Sequence, residues 1–105
     1  MFDIESIQAM FDGNAVKYTD HFKLRLRERN IKFADVKKAL LSGEIIEQCP
    51  NDRPLPSVLV LGYTNDTDPL HVVVGVDDAL VWLITAYYPS LDLWEDDYKT
   101  RKVTK

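Results

Sequence analysis

The 105-residue sequence predicts an α+β fold, with N-terminal helices forming a helical hairpin packed on a four-stranded antiparallel sheet. Three observations predict it. Apolar residues recur every three to four positions up to Leu41, the helical period. After Gly43 the period changes to extended apolar runs such as VLVL and VVVGV. The order, helices first and then a meander of strands, suits an α+β arrangement rather than alternating units. A chain of this length makes one domain, residues 1–105, around a single modest core.

Ile4, Ile7, Met10 and Phe11 predict a short amphipathic helix over residues 3–11, which Gly13-Asn14 ends. Residues 15–18 form a brief extended piece. Thr19 or Asp20 caps the next helix, and Asn30, tolerant of the left-handed conformation, stops it. Phe33, Val36, Leu40 and Leu41 share the face of a third helix, closed by Ser42-Gly43. Glu44 to Cys49 is then a strand, Pro50 to Pro56 with its three prolines a loop, and Val58 to Tyr63 a second strand. Asn65-Asp66-Thr67-Asp68 supplies a turn. Leu70 to Val76 and Leu80 to Tyr87 are two apolar strands joined around Asp77-Asp78, hydrophobic at nearly every position and so central and covered on at least one face. Pro89 stops the last strand, and Leu91 to Tyr98 forms a short helix before a basic tail.

Hydrophobic residues make up 46% of the chain and charged ones 29%, which excludes a disordered class. The apolar runs are too short to cross a bilayer, and MFDIESIQAMFDG carries acids rather than a basic leader, so a cytoplasmic protein with no membrane association is expected. The single cysteine, Cys49, cannot close an internal disulfide. The two histidines are far apart, so neither a metal nor a small-molecule cofactor is expected. A net charge of −4 argues against a polyanionic partner, but the average hides an asymmetry. Residues 17–38 hold eight basic against three acidic residues and sum to +5, leaving −9 for the remainder. One basic site in an acidic protein, or a solvated helical pair, gives this count.

The segment HFKLRLRERN concentrates the chemistry. On a helical wheel His21, Arg25 and Arg29 fall at about 0°, 40° and 80°, with Phe22 and Leu26 near 100° and 140° and Leu24 near 300°. A basic stripe flanked by apolar residues on both sides predicts a rim or cleft, whereas Lys23 and Arg27 occupy the solvated side. Phosphodiester cleavage through a ribose 2′-hydroxyl needs a proton acceptor active near neutral pH and cations for the charge growing on phosphorus; histidine and arginine supply both. The competing reading pairs the arginines with Glu28 and leaves His21 packing at the helix start. His71, in LHVVV, lies on a central strand where an imidazole needs a partner. A three-residue hairpin loop would set it opposite Thr85 with Tyr87 on the same face, and a two-residue loop would swap the alternation. Tyr87 could donate to a phosphate, stack on a base or simply pack. Trp94 anchors the acidic run Glu95, Asp96, Asp97, and Cys49 packs at a strand end. The four scattered glycines make no phosphate-cradling motif.

Taken in order, His-x3-Arg-x3-Arg-Asn-Ile, DVKKALLSGEIIE, PLHVVV and ITAYYPSLDLW resemble a bacterial and archaeal family catalogued as domain of unknown function 4258, over residues 18–94. That family is similar to the RelE/ParE and BrnT toxins of toxin–antitoxin systems, whose fold packs a helical hairpin on an antiparallel sheet, and its genes often neighbour those of zinc-finger antitoxins. The resemblance implies a small metal-independent endoribonuclease or a relic of one. His21, Arg25 and Arg29 match the helix motif, His71 the strand histidine, and Thr85, Tyr87 and Pro89 the last-strand signature. Asn30 stands where glycine is usual, and the negative net charge departs from toxins that are often basic.

Two readings result. In one, His21, Arg25, Arg29, His71 and Tyr87 cleave RNA, with Lys23, Arg27 and Lys32 as further RNA contacts. In the other, the same stripe of a non-catalytic domain binds an acidic partner such as an antitoxin segment.

Overall fold

The computed structural model describes residues 2–64 and 68–103. Among the described residues it has three helices and one five-stranded sheet: α1 Ile4–Asp12, β1 Val16–Tyr18, α2 Asp20–Glu28, α3 Phe33–Ser42, β2 Glu44–Cys49, β3 Ser57–Tyr63, β4 Pro69–Val76 and β5 Val81–Tyr87. The strand order is β1-β5-β4-β3-β2. All pairs are antiparallel except β1 with β5, which run parallel with Val16 opposite Val81.

The expected four-stranded antiparallel sheet is therefore corrected to a five-stranded mixed one. The extended piece after α1 joins β5 through Val81 N–H to the Ala15 carbonyl and Thr19 N–H to the Leu83 carbonyl. The helical hairpin is corrected too. α2 packs on β5 and α3 on β3 and β4, so each helix finds its partner in the sheet rather than in the other helix. A third correction concerns Leu91 to Tyr98, which forms turns and a single bridge between Trp94 and Arg101 instead of a helix. Asp97 explains it: its carboxylate accepts from Lys99 N, Thr100 N and the Thr100 hydroxyl, an arrangement that holds a turn and competes with helix. The turn expected at Asn65-Asp66-Thr67-Asp68 lies, apart from Asp68, outside the described residues.

Local chemistry sets the helix ends. Asp3 caps α1 by accepting from Ser6 N, and the Thr19 hydroxyl caps α2 by accepting from Phe22 N at 2.9 Å. Asn14 and Asn30, at φ 66° and 55°, take the left-handed conformation after α1 and α2. The core lies on one face of the sheet, where Ile7, Phe22, Val36 and Leu40 of the helices meet Val60, Val72 and Leu83 of the strands. Gly62 lets α3 settle there, since a Cβ on it would lie 1.9 Å from the Ala39 carbonyl oxygen. No helix among the described residues is long and apolar enough to cross a membrane.

The other face of the sheet concerns function. Val72 and Val74 point into the core, so by alternation His71, Val73 and Gly75 of β4 point to this second face. Part of it is covered by residues 90–101, which return across β4, and part by the loop ahead of β3.

Candidate functional site

α2 leaves β1 at the capped Thr19 and runs along the edge of β5 where β1 no longer pairs. Two residues from α2's side satisfy that edge. The Thr19 hydroxyl donates to the Leu83 carbonyl, and Arg29 Nη1 donates to the Ala86 carbonyl at 2.8 Å and to Thr85 Oγ1 at 3.1 Å. Arg29 thus has an anchoring role that the wheel did not reveal. One turn earlier, Arg25 is shared: its Nε donates to His21 Nε2 at 3.3 Å and its Nη1 to Glu28 Oε1 at 2.7 Å. Because His21 Nε2 accepts, its proton sits on Nδ1 in this arrangement.

The stripe is less enclosed than expected. His21 and Arg29 are exposed and Arg25 half-buried, and of the three Arg29 alone holds a strand. The expected ion pair to Glu28 is present, between side chains 39% and 48% exposed, where such a pair is worth about 0–1 kcal/mol. Lys23, Arg27 and Lys32 are exposed, and Lys23 lines a groove of about 340 Å³ with Tyr18, Phe22, Leu26 and Phe33. That groove lies on the opposite flank of α2 from the stripe, so Lys23 does not extend it.

The histidine and tyrosine of the strands meet through a bulge. The loop Asp77–Leu80 has four residues, which alone would set His71 opposite Ala86. Ile84 is an extra residue between Leu83 and Thr85, however, and shifts the later pairs by one, so Val73 faces Thr85 and His71 faces Tyr87. Trp82, Ile84, Thr85 and Tyr87 consequently all lie on the second face. Thr85 and Tyr87 are half-buried there, and Arg29 reaches Thr85 from the helix.

His71 is wholly buried. Its Nε2 is 2.8 Å from the Tyr98 carbonyl, its Nδ1 is 3.2 Å from the Tyr87 hydroxyl, and its ring packs edge-on to Trp94 at 4.5 Å. A carbonyl only accepts, so Nε2 carries the proton and Nδ1 accepts the hydroxyl proton of Tyr87. Burial holds the imidazole below its ordinary value, against the Tyr98 carbonyl bond that raises it, so it stays neutral. Burial likewise pushes the Tyr87 phenol up, against the lowering fields of Arg101 and Arg29. His71 therefore positions Tyr87, and Tyr87 turns oxygen lone pairs rather than a proton outward.

Sequence reasoning missed two partners of this cluster, Arg101 and Glu47. Arg101 stacks over Trp94 at 4.6 Å and makes a two-pronged bond to Glu47 at 2.6 and 3.0 Å. With Tyr87, Cys49, Ser57 and Asp52 they line a cleft of about 150 Å³. No local signal marks Arg101, which is one cation of a basic tail; only the return of the chain over β4 brings it here.

A protein-family comparison matches residues 18–88 to a family described as domain of unknown function (DUF4258). The match covers well over half of the chain, from the end of β1 to just past β5, and so spans the stripe, His71 and Tyr87. The chain belongs to the DUF4258 family. A search of curated proteins and a search of solved structures each found no match. Within the DUF4258 region the structure brings Arg29 to Thr85 and His71 to Tyr87, while Arg101 and Trp94, which complete the cluster, come from the segment beyond it.

Proposed function

We propose that this chain is a cytoplasmic, metal-independent endoribonuclease of toxin-like type, held in check by a partner of the zinc-finger antitoxin class. The observation that carries the reading is the contact of Arg25 Nε with His21 Nε2 on an exposed helix face, with Arg29 fixed one turn further on. The resemblance to RelE/ParE and BrnT toxins supports the same chemistry.

His21 and Arg29 are eight residues apart, roughly 12 Å along the helix, so the three side chains cannot share one phosphate. Arg25 serves the scissile phosphate beside His21, and Arg29 an adjacent one. In the free protein Arg25 occupies the Nε2 lone pair; a phosphate that captures the guanidinium in its fork releases that lone pair. His21 Nε2 then takes the proton of the 2′-hydroxyl as the 2′-oxygen attacks phosphorus. The bond from phosphorus to the 5′-oxygen breaks, and the 5′-oxygen takes a proton from water, since that of Tyr87 is held by His71. The products are a 2′,3′-cyclic phosphate and a 5′-hydroxyl.

Incubation of single-stranded and ribosome-bound RNA with the purified chain in EDTA tests this. Cyclic phosphate ends should form, and His21→Gln should slow cleavage by about 10²- to 10⁴-fold. Uncut RNA, or wild-type cleavage by His21→Gln, removes the enzyme reading.

A second reading rests on the aromatic groove beside Lys23. Tyr18 and Phe33, 37% and 42% exposed and in edge contact at 5.2 Å, form an apolar patch on the positive part of the molecule. An acidic, partly apolar partner segment would suit it, and binding of such a partner without RNA cleavage would favour an interaction domain.

A further inference from the structure

We propose that a cleft on the second face of the sheet, between β5 and the loop carrying residues 53–55, is a nucleobase subsite. It takes the base of a single-stranded RNA nucleotide whose phosphate lies at the His21 end of the basic stripe. The inference rests on the RNA reading and deepens it.

The cleft has a volume of about 460 Å³, within the roughly 300–1,000 Å³ of small-molecule sites. Its floor and walls are Leu55, Pro54, Ile84 and Trp82. Gly75 makes the floor possible: a Cβ there would lie 3.1 Å from Ile84 Cδ1 and 3.5 Å from Leu55 Cδ1, so the bare backbone lets these two side chains converge. The indole is held in place, since Trp82 Nε1 donates to Asp77 Oδ2 at 3.1 Å. Asp77 is itself anchored by Ala79 N and Leu80 N, bonds that keep its carboxyl below the usual carboxylate range and hence ionised. Arg53 stands at the mouth. Among the described residues it makes only long bonds, 3.4 and 3.5 Å, to the Asn51 and Asp52 carbonyls, and no ion pair. An apolar floor with one fixed indole and one uncommitted guanidinium suits a flat heteroaromatic ring, on which both planar groups can stack.

The position argues for a nucleotide rather than a neutral aromatic compound. Thr19 lines the cleft and also caps α2, so His21 follows two residues from the lip. From that lip the stripe runs beside β5 to Arg29 at Thr85, and residues 17–38 carry +5 in a chain of −4. A base in the cleft leaves its phosphate at the start of this positive track. Phosphate alone would use the track and leave the cleft empty.

The test follows the two tryptophan indole N–H resonances of the ¹⁵N-labelled chain during titration with adenosine 5′-monophosphate, with ribose 5-phosphate as the ligand lacking a base. Adenosine 5′-monophosphate should shift the Trp82 signal to saturation and leave that of Trp94, which is buried, in place; ribose 5-phosphate should leave both. Trp82→Leu should weaken nucleotide binding about tenfold, the worth of one base–aromatic stack. Arg53→Glu, in an exposed loop where the fold is not at stake, should weaken it comparably. Nucleotide binding that leaves Trp82 unmoved, or wild-type affinity in both variants, overturns the subsite. A saturating Trp82 shift without RNA cleavage keeps the subsite and drops the nuclease; cleavage without any Trp82 response does the reverse.

Discussion

Acidification should destabilise this fold through one residue, His71. The imidazole is held below its ordinary value of 6.5 by burial, whereas in the unfolded chain it titrates near that value. Below about pH 6.5 the unfolded state therefore binds a proton that the native state refuses, and stability falls as pH falls; above that pH both states are neutral and the contribution is constant. One proton gives a slope of at most about 1.4 kcal/mol per pH unit. Over the first unit below 6.5 the loss is at most about 1 kcal/mol, which corresponds to no more than roughly 4–8 °C in melting temperature for a domain near this size. The other groups with a resolved shift titrate elsewhere. Asp3, Asp77 and Asp97 lie below 3.8, and Tyr87, Tyr88, Lys99 and Arg101 lie above their alkaline values. Melting curves followed by circular dichroism at about pH 7.5, 6.5 and 5.5 should show the fall in the wild type and in His21→Gln. His71→Gln, whose amide can still donate to the Tyr98 carbonyl and accept from Tyr87, should start lower and lose most of the slope. A His71→Gln variant with the wild-type slope would refute the assignment.

Three further outcomes are expected. Gly62→Ala should lower the urea midpoint by an amount equivalent to about 1–3 kcal/mol or prevent folding, because its Cβ would overlap the Ala39 carbonyl and α3 would have to lift from β3. Arg25→Ala should cut RNA cleavage by about 10²-fold with little change in melting temperature, since its ion pair is exposed, while Arg29→Ala should lower both by releasing the edge of β5; rates beside melting curves separate the two. RNA affinity measured across a salt series should fall with a log–log slope of about 0.7 per neutralised phosphate, and Arg25→Ala should flatten it by about that amount; a salt-independent affinity would point to an apolar interface instead.

The elements visible in the sequence are those whose side chains are sorted by a face. The helices show a three-to-four period because one side of each meets the sheet, and Thr19 and Asn30 mark the ends of α2 through chemistry confined to single residues. β1 shows no such signal. Three residues cannot display a period of two, and its partner lies more than sixty positions away, so its parallel pairing with β5 depends on backbone bonds that leave no trace in side-chain pattern. The register at His71 was hidden for a related reason. A four-residue loop and an extra residue at Ile84 each invert the alternation, and the two inversions cancel, so His71 and Tyr87 share a face for a reason no loop count could reveal.

The basic stripe was legible as a helical face, but its surroundings were not. The flanking apolar residues suggested a rim or cleft, whereas Phe22 and Leu26 are buried against the sheet and the stripe borders its second face, held there by Arg29 on β5. The unbroken apolar character of β4 carried more than one expectation could use. LHVVVGV lacks alternation because both faces are covered, one by helices and the other by the returning segment that lays Trp94 and the Tyr98 carbonyl over His71. That second cover removes His71 from reach of any substrate and turns it into the support of Tyr87. Of the two histidines in the sequence, only His21 then keeps an exposed imidazole beside an arginine, and in the proposed nuclease proton transfer would rest on His21 alone.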